Sequence, residues 1–159
     1  MLIASSPAAG QTRPTIPANW LGYGTRLTFD ATGIITTAAT QGTGTWDVRL
    51  GSVVVATSGA LPLTASMVTW KWQLHYDLTL RIIGATTAAQ FWAQGYVMYA
   101  ASATTDSTFQ LPYNVTPPVL GTGFDSTVPN VFDSFFTESV GTATFVCETA
   151  CAVIWNPNY

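Results

Sequence analysis

The chain has 159 residues, of which 48% are hydrophobic, 13% aromatic and only 8% charged, and its formal net charge is −3. A typical soluble domain is about 25% charged, so much of this surface must be neutral, as the cores of protein interfaces are. The few basic residues form no stripe for nucleic acid, and the lack of an apolar run of about 18 residues excludes a membrane-spanning helix. We therefore expect a component of an assembly, with neither nucleic acid nor membrane as partner. The basic residues are Arg13, Arg26, Arg49, Lys71 and Arg81.

The first 20 residues predict an extended N-terminal arm ahead of a single domain at residues 21–159. Three prolines in this segment disfavour a helix and favour an extended chain. Because the arm is also apolar, we expect it to anchor the protein to a neighbouring subunit or to a shell; a disordered tail is the alternative. The opening residues lack the positive charge of a secretory signal, so none is expected. The predicted anchoring residues are Pro7, Arg13, Pro14, Ile16 and Pro17.

From residue 25 onward the pattern is that of β-strands. Apolar residues alternate with polar ones around Phe29 and again around Val48, and Gly51 is interpreted as a β-bulge. Glycines and prolines separate the apolar segments, and no segment repeats near every 3.6 residues, so little helix is expected. Seven or eight strands in a chain of this length predict an all-β antiparallel sandwich or barrel.

The segment WKWQLHYDLTLRI, residues 70–82, alternates without a break and predicts a long strand with one buried face. At about 3.3 Å per residue it would span roughly 43 Å, which suits a two-sheet sandwich. The predicted inner face is Trp70, Trp72, Leu74, Tyr76, Leu78, Leu80 and Ile82, and the predicted outer face is Lys71, Gln73, His75, Asp77, Thr79 and Arg81.

The next segment, FWAQGYVMYA at residues 91–100, is apolar on both faces. A strand of this kind would leave a large apolar patch in water unless another subunit covered it. We therefore predict a subunit interface formed by Phe91, Trp92, Tyr96, Met98 and Tyr99.

The segments at residues 16–37, 48–64 and 70–100 give the chain a resemblance to virion proteins of tailed bacteriophages. Those proteins resemble jelly rolls of the tumour-necrosis-factor and C1q type and assemble mostly as trimers. The resemblance covers about residues 15–155, except that residues 104–140 do not map onto it. It implies a jelly-roll sandwich, a homotrimer, and a structural role on the capsid surface or in a head or tail fibre.

No set of residues in the sequence matches a catalytic or cofactor site. His75 is the only histidine and lies on a polar strand face, where Asp77 is a neighbour that could form a pH-sensitive pair with it. Cys147 and Cys151 are four residues apart and would lie on the same face of a regular strand. They are expected to be buried free thiols, with a disulfide or a zinc site as alternatives. Calcium could be held only in the loops of Asp106 or Asp125, which lack a dense ligand pattern. We therefore expect no enzyme, no metal and no cofactor.

These observations lead to one prediction and one alternative. The prediction is a trimeric, non-enzymatic decoration protein, made in the host cytoplasm and bound to the major capsid protein on the outer surface of a phage virion. The alternative is a module of a head or tail fibre that binds a receptor or a host surface glycan, with Tyr113 and Asn114 on its external surface. A polysaccharide-degrading enzyme is supported by fold analogy alone.

Overall fold

The computed structural model describes residues 2–4, 13–40, 42–102, 105–140 and 144–157, and these residues contain β-strands and no helix. No helix that could cross a membrane occurs in this described part of the chain. Eight of its strands have five or more residues, in agreement with the predicted seven or eight. The strands are β1 Leu2–Ala4, β2 Thr15–Ile16, β3 Arg26–Thr36, β4 Thr43–Leu50, β5 Val53–Thr57, β6 Leu61–Pro62, β7 Trp70–Ile82, β8 Gln90–Ser102, β9 Thr105–Leu111, β10 Val119–Leu120, β11 Asn130–Glu138 and β12 Thr144–Trp155.

The strands form two antiparallel sheets that pack face to face, which confirms the predicted all-β sandwich. The first sheet has the order β1-β11-β4-β5, with β2 also paired to β11 and β6 to β4. The second sheet has the order β10-β8-β7-β3-β12, with β9 also paired to β8. The last strand, β12, returns beside the first long strand, β3, as the fourth strand of a Greek key does. The jelly-roll connectivity stays a prediction.

Aromatic rings from both sheets fill the interior. Trp46 of the first sheet lies 6.1 Å from Trp72 of the second and 4.4 Å from Phe136, measured between ring centroids. Phe145 of β12 stacks on Phe136 at 4.1 Å and so joins the two sheets at one edge. Ring pairs at these distances add about 0.5–1.5 kcal/mol each beyond the burial of their area.

The long strand β7 buries alternate residues as predicted from Trp72 to Leu80. Trp70 is only half-buried, and the prediction for Ile82 is wrong, because that side chain is 43% exposed. Leu80 pairs with Phe91 and Ile82 pairs with Gln90, so Arg81 is an extra residue in β7. Such a bulge reverses the inside–outside alternation beyond it and turns Ile82 outward.

Gly51 was expected to mark a bulge and instead forms a hairpin turn. Leu50 pairs with Val53, and Gly51 takes a φ of 59° in the two-residue connection between β4 and β5. Glycine adopts this left-handed conformation without strain. The irregularity in this pair of strands lies elsewhere, where the register shifts between Val48 and Arg49.

The N-terminal segment packs on its own chain. Strand β2 pairs with β11, and Ile16 is 3% exposed within the chain's own core, so its predicted role as an anchor to a neighbour is wrong. Arg13 lies 2.9 Å from the buried carboxylate of Asp133, and the Pro14 carbonyl accepts a hydrogen bond from the backbone of Phe132. Residues 13–16 therefore complete an edge of the sandwich, while Pro14 and Pro17 remain exposed. Pro7 lies outside the described residues.

Candidate interaction surface

The outer face of the second sheet carries rows of side chains aligned by the strand register. One row places Asp30, His75 and Tyr96 side by side on β3, β7 and β8. The His75 Nδ1 atom lies 2.7 Å from the Asp30 carboxylate, and the His75 ring stacks on Tyr96 with 5.2 Å between centroids. The expected neighbour Asp77 is not the partner of His75, because the adjacent strand supplies a closer carboxylate.

Asp77 is paired instead with Arg26 on β3. The guanidinium donates two hydrogen bonds of 2.6 Å each to the two carboxylate oxygens. This contact raises the pKa of Arg26, through the hydrogen bonds first and the opposite charge second. Two-point contacts between arginine and carboxylate hold both groups in one orientation, so this part of the face presents an ordered and nearly neutral pair.

Two aromatic rings lie beside Arg81 at one end of this face. The guanidinium carbon of Arg81 lies 5.8 Å from the ring centroids of both Tyr23 and Trp92. The two rings are 60% and 43% exposed. The bulge at Arg81 places the cation among the rings, where attraction between cation and π-electrons is worth about 0.5–1 kcal/mol at an exposed site.

The predicted subunit interface divides between the two faces of β8. Trp92, Tyr96 and Met98 lie on the outer face and are exposed or half-buried. Phe91 and Tyr99 are buried in the chain's own core, at 0% and 3% exposure, so they have no surface to offer a second subunit and their assignment is corrected. The apolar inner face of β8 fills the sandwich, and its apolar outer face lies outside the core.

A cleft of about 450 Å³ lies at the end of β9 and in the loop that follows it. It brings together Tyr113 and Asn114, the two residues proposed from the sequence for an external ligand. The backbone amide of Tyr113 donates a 2.7 Å hydrogen bond to Ser58, which fixes the loop against the sandwich, and Asn114 takes a φ of 62°. The lining residues are Thr108, Phe109, Gln110, Pro112, Tyr113, Asn114, Val115 and Thr116.

A second cleft, of about 350 Å³, was not anticipated from the sequence. Lys71, Asp106 and Glu148 bring charges of both signs to it from three different strands. Sequence reasoning could not group these residues, because they meet only through the side-by-side pairing of β12, β3, β7, β8 and β9 in the second sheet.

Both cysteines are free, as expected, but the expectation that they are buried is wrong. Cys147 pairs with Gly33 and Thr149 pairs with Thr32, so Glu148 is an extra residue in β12. The bulge puts Cys147 and Cys151 on opposite faces instead of the same one. Partial desolvation by the surrounding protein, and secondly the charge of Glu148, raises the pKa of the exposed Cys147 thiol and favours its less reactive neutral form.

The acidic residues in the described part of the chain do not group into a metal site: no three His, Cys, Asp or Glu residues lie together there. Asp125, a candidate calcium ligand, caps its own turn instead. Its carboxylate accepts hydrogen bonds from the amide and hydroxyl of Thr127 at 2.8 and 2.6 Å. Hydrogen bonds to the charged form, with the Thr127 side chain contributing most, lower the pKa of Asp125.

The fold and the outer face define an antiparallel β-sandwich with an ordered polar and aromatic surface on one sheet. Comparison with protein-family models, with curated proteins and with solved structures found no match.

Proposed function

We propose that the chain is a non-enzymatic structural protein of a tailed-phage virion that acts through binding surfaces. It forms a homotrimer that decorates the outer capsid surface and contacts the major capsid protein. The resemblance described above supports the virion role. The observation that carries the assembly role is the row of Trp92, Tyr96 and Met98 on the outer face of β8, outside the core that the chain completes by itself.

The exposed part of Trp92 sets the scale of the contact. A tryptophan has up to about 250 Å² to bury, so 43% exposure leaves roughly 100 Å² in water. Covering that area is worth about 2–3 kcal/mol at about 25 cal/mol per Å². Many copies bound to one preformed lattice strengthen a modest contact by multivalency, without any new contact.

Replacement of Trp92 by alanine tests the proposed trimer contact. We expect Trp92→Ala to convert the trimer to monomer, because it removes about 2 kcal/mol per contact, or about thirtyfold in affinity. Tyr96→Asp should have the same effect by placing an unpaired charge in the interface. Sedimentation velocity of the purified protein measures the outcome.

Val68→Ala is the matched control, since Val68 is 65% exposed and lies outside the proposed contact. It should leave the trimer intact. An unchanged trimer in both Trp92→Ala and Tyr96→Asp would show that this row is not the interface. The virion role has a separate test, because a decoration protein is present in hundreds of copies on each purified particle.

The cleft beside β9 favours a second candidate, a glycan-binding module of a head or tail fibre. It combines an aromatic ring, at Tyr113, with the amide of Asn114 in a fixed loop. Binding sites for small ligands contain a few well-placed polar groups, and this shallow, open cleft offers such groups beside an aromatic ring.

Loss of the Asn114 amide tests the glycan candidate. We expect Asn114→Gly to abolish binding to an array of bacterial surface polysaccharides, since glycine keeps the left-handed backbone and removes only the side chain. Asn19→Gly is the matched control, because Asn19 has a similar φ of 57° and lies outside the cleft lining. Equal binding by both variants, or no binding by the unmodified protein, would reject this candidate.

A further inference from the structure

Strand β12 is an exposed sheet edge of unusual length. It has twelve residues, ten of which are exposed, and among the described residues it pairs with β3 alone. Within the part of the chain that the structure describes, one side of its backbone is therefore left without a strand partner. Unpaired backbone groups along an edge are a template for pairing with another chain.

The other sheet edges in the described part of the chain are all shorter than β12, and most are protected, as edges of native sheets usually are. Strand β5 is an edge without charge or proline, but it has only five residues. Strands β6 and β10 have two residues each, and β6 contains Pro62. Strand β2 is also two residues long and lies between Pro14 and Pro17, and β9 carries Asp106. Strand β12 contains no proline, and its only charged residue is Glu148, at the bulge.

The segment after the bulge, TACAVIW at residues 149–155, is uncharged and exposed on both faces. On the outer face Val153 and Trp155 are 58% and 62% exposed. Ala152 on the inner face is also exposed, although its neighbour Phe29 on β3 is buried at 5%. Ile154 on the inner face still packs against the core, but Ala150 and Ala152 are left exposed.

We propose that this segment pairs with the same segment of a second copy, antiparallel and about a two-fold axis at Ala152. A two-fold contact uses the same patch on both copies, so the patch must complement itself. In this register Thr149 faces Trp155 of the second copy, and Ala150 faces Ile154. Cys151 likewise faces Val153, so each pair sets a smaller side chain against a larger one.

The charges agree with this arrangement. Glu148 lies opposite Asn156 of the second copy, so its carboxylate does not face another carboxylate. Like charges directly opposite each other weaken a strand pair, and this register contains none within residues 149–155. A second copy therefore fits the edge without an electrostatic penalty.

The area sets the strength of the contact. Trp155 leaves roughly 150 Å² in water, and pairing along the strand edge covers only part of the exposed surface of the seven residues. The contact is therefore smaller than a standard interface of about 1,600 Å². We therefore expect a weak, reversible dimer that forms at high concentration, or where copies are held side by side.

Sedimentation over a wide concentration range tests this contact. Val153→Lys adds a charge to the exposed edge, and we expect it to abolish the association at concentrations where the unmodified protein is half associated. Val68→Lys adds the same charge at an exposed site away from β12 and should have no effect. Far-ultraviolet circular dichroism confirms that both variants stay folded.

A disulfide tests the register. In a background of Cys147→Ser and Cys151→Ser, Ala152→Cys places two thiols opposite each other, with Cα atoms about 4.5–5.5 Å apart, within disulfide range. Oxidation should give a covalent dimer, and Val68→Cys in the same background should not.

This contact does not depend on the proposed trimer. Trp92→Ala should leave the β12 association intact, and Val153→Lys should leave any trimer intact. An association that Val153→Lys does not change, an Ala152→Cys variant that forms no covalent dimer, or a protein without any self-association beyond the trimer would each overturn the β12 proposal.

Discussion

Two core tyrosines, Tyr76 and Tyr99, differ in whether their buried hydroxyl groups form a hydrogen bond. Tyr99 donates a hydrogen bond from its hydroxyl to the carbonyl of Pro62. The Tyr76 hydroxyl is buried and has no hydrogen-bond partner among the described residues. A buried polar group without a partner costs about 1–3 kcal/mol, so Tyr76 is a site where the fold gives up stability.

Tyr76→Phe should therefore keep or raise the free energy of unfolding, by up to about 1 kcal/mol, because it removes only the unsatisfied hydroxyl. Tyr99→Phe is the matched control and should lower the free energy of unfolding by about 1 kcal/mol, since it deletes a hydrogen bond. Urea denaturation measures both. A clear loss of stability in Tyr76→Phe would show that its hydroxyl has a partner.

The pH dependence gives the same variant a second readout. Burial, and secondly the charge of Asp47, raises the pKa of Tyr76 above its ordinary value of 10.0. Below pH 10 the tyrosine is protonated in both the folded and the unfolded state, so the stability that depends on a protonated Tyr76 is fully present. As the pH rises past 10, the unfolded chain ionises first and stability is lost. Tyr76→Phe should reduce this loss of stability at high pH. Part of the loss should remain in that variant, because burial raises the pKa of Tyr99 too.

The neighbours of His75 show the limit of sequence reasoning at this scale. The alternation in β7 correctly placed His75 on the outer face. Its partner Asp30 lies 45 residues away along the chain and reaches it only through the register of β3 with β7. No local pattern connects the two residues, so the sequence could not identify the pair.

At the scale of elements, two bulges explain the main errors in the predicted faces. The extra residues Arg81 and Glu148 each reverse the alternation, which exposes Ile82 and separates the two cysteines. Near the second bulge the strands approach closely: a Cβ atom on Gly33 would lie 1.9 Å from the carbonyl oxygen of Val146. The position of a bulge depends on contacts with the partner strand, and these contacts cannot be predicted from the alternation within one strand.

Strand β2 is short, and we expect it to be important for stability. Ile16→Ala should lower the free energy of unfolding by about 2–4 kcal/mol, because Ile16 is 3% exposed and its truncation leaves a cavity under β11. Thermal and urea unfolding measure the change.

Ile83→Ala provides the comparison, since Ile83 is 52% exposed and its truncation should change stability by no more than about 0.5 kcal/mol. An equally small effect of Ile16→Ala would mean that residues 13–16 are an arm only loosely attached to the sandwich, as the sequence suggested.

In the described part of the molecule, the low charge leaves three separate surfaces with few charged groups: the outer face around Trp92, the cleft at Tyr113 and the edge of β12. Each has a different geometry, respectively a flat face, a shallow open cleft and a line of backbone groups. A protein with several such surfaces can contact more than one neighbour at once. This arrangement suits a component of a repeating assembly and agrees with the proposed virion role.

The sequence by itself determined the fold class and most of the buried face of β7, because a half-buried strand needs apolar side chains at alternate positions and this need is local. It also drew attention to the consecutive residues Tyr113 and Asn114, which line one cleft. Only the tertiary structure decided which side of β8 is core, that Ile16 belongs to its own chain, and that β12 is an open edge. These features depend on which strands lie beside each other across long separations in the chain, and alternation along a single strand contains no information about its neighbours.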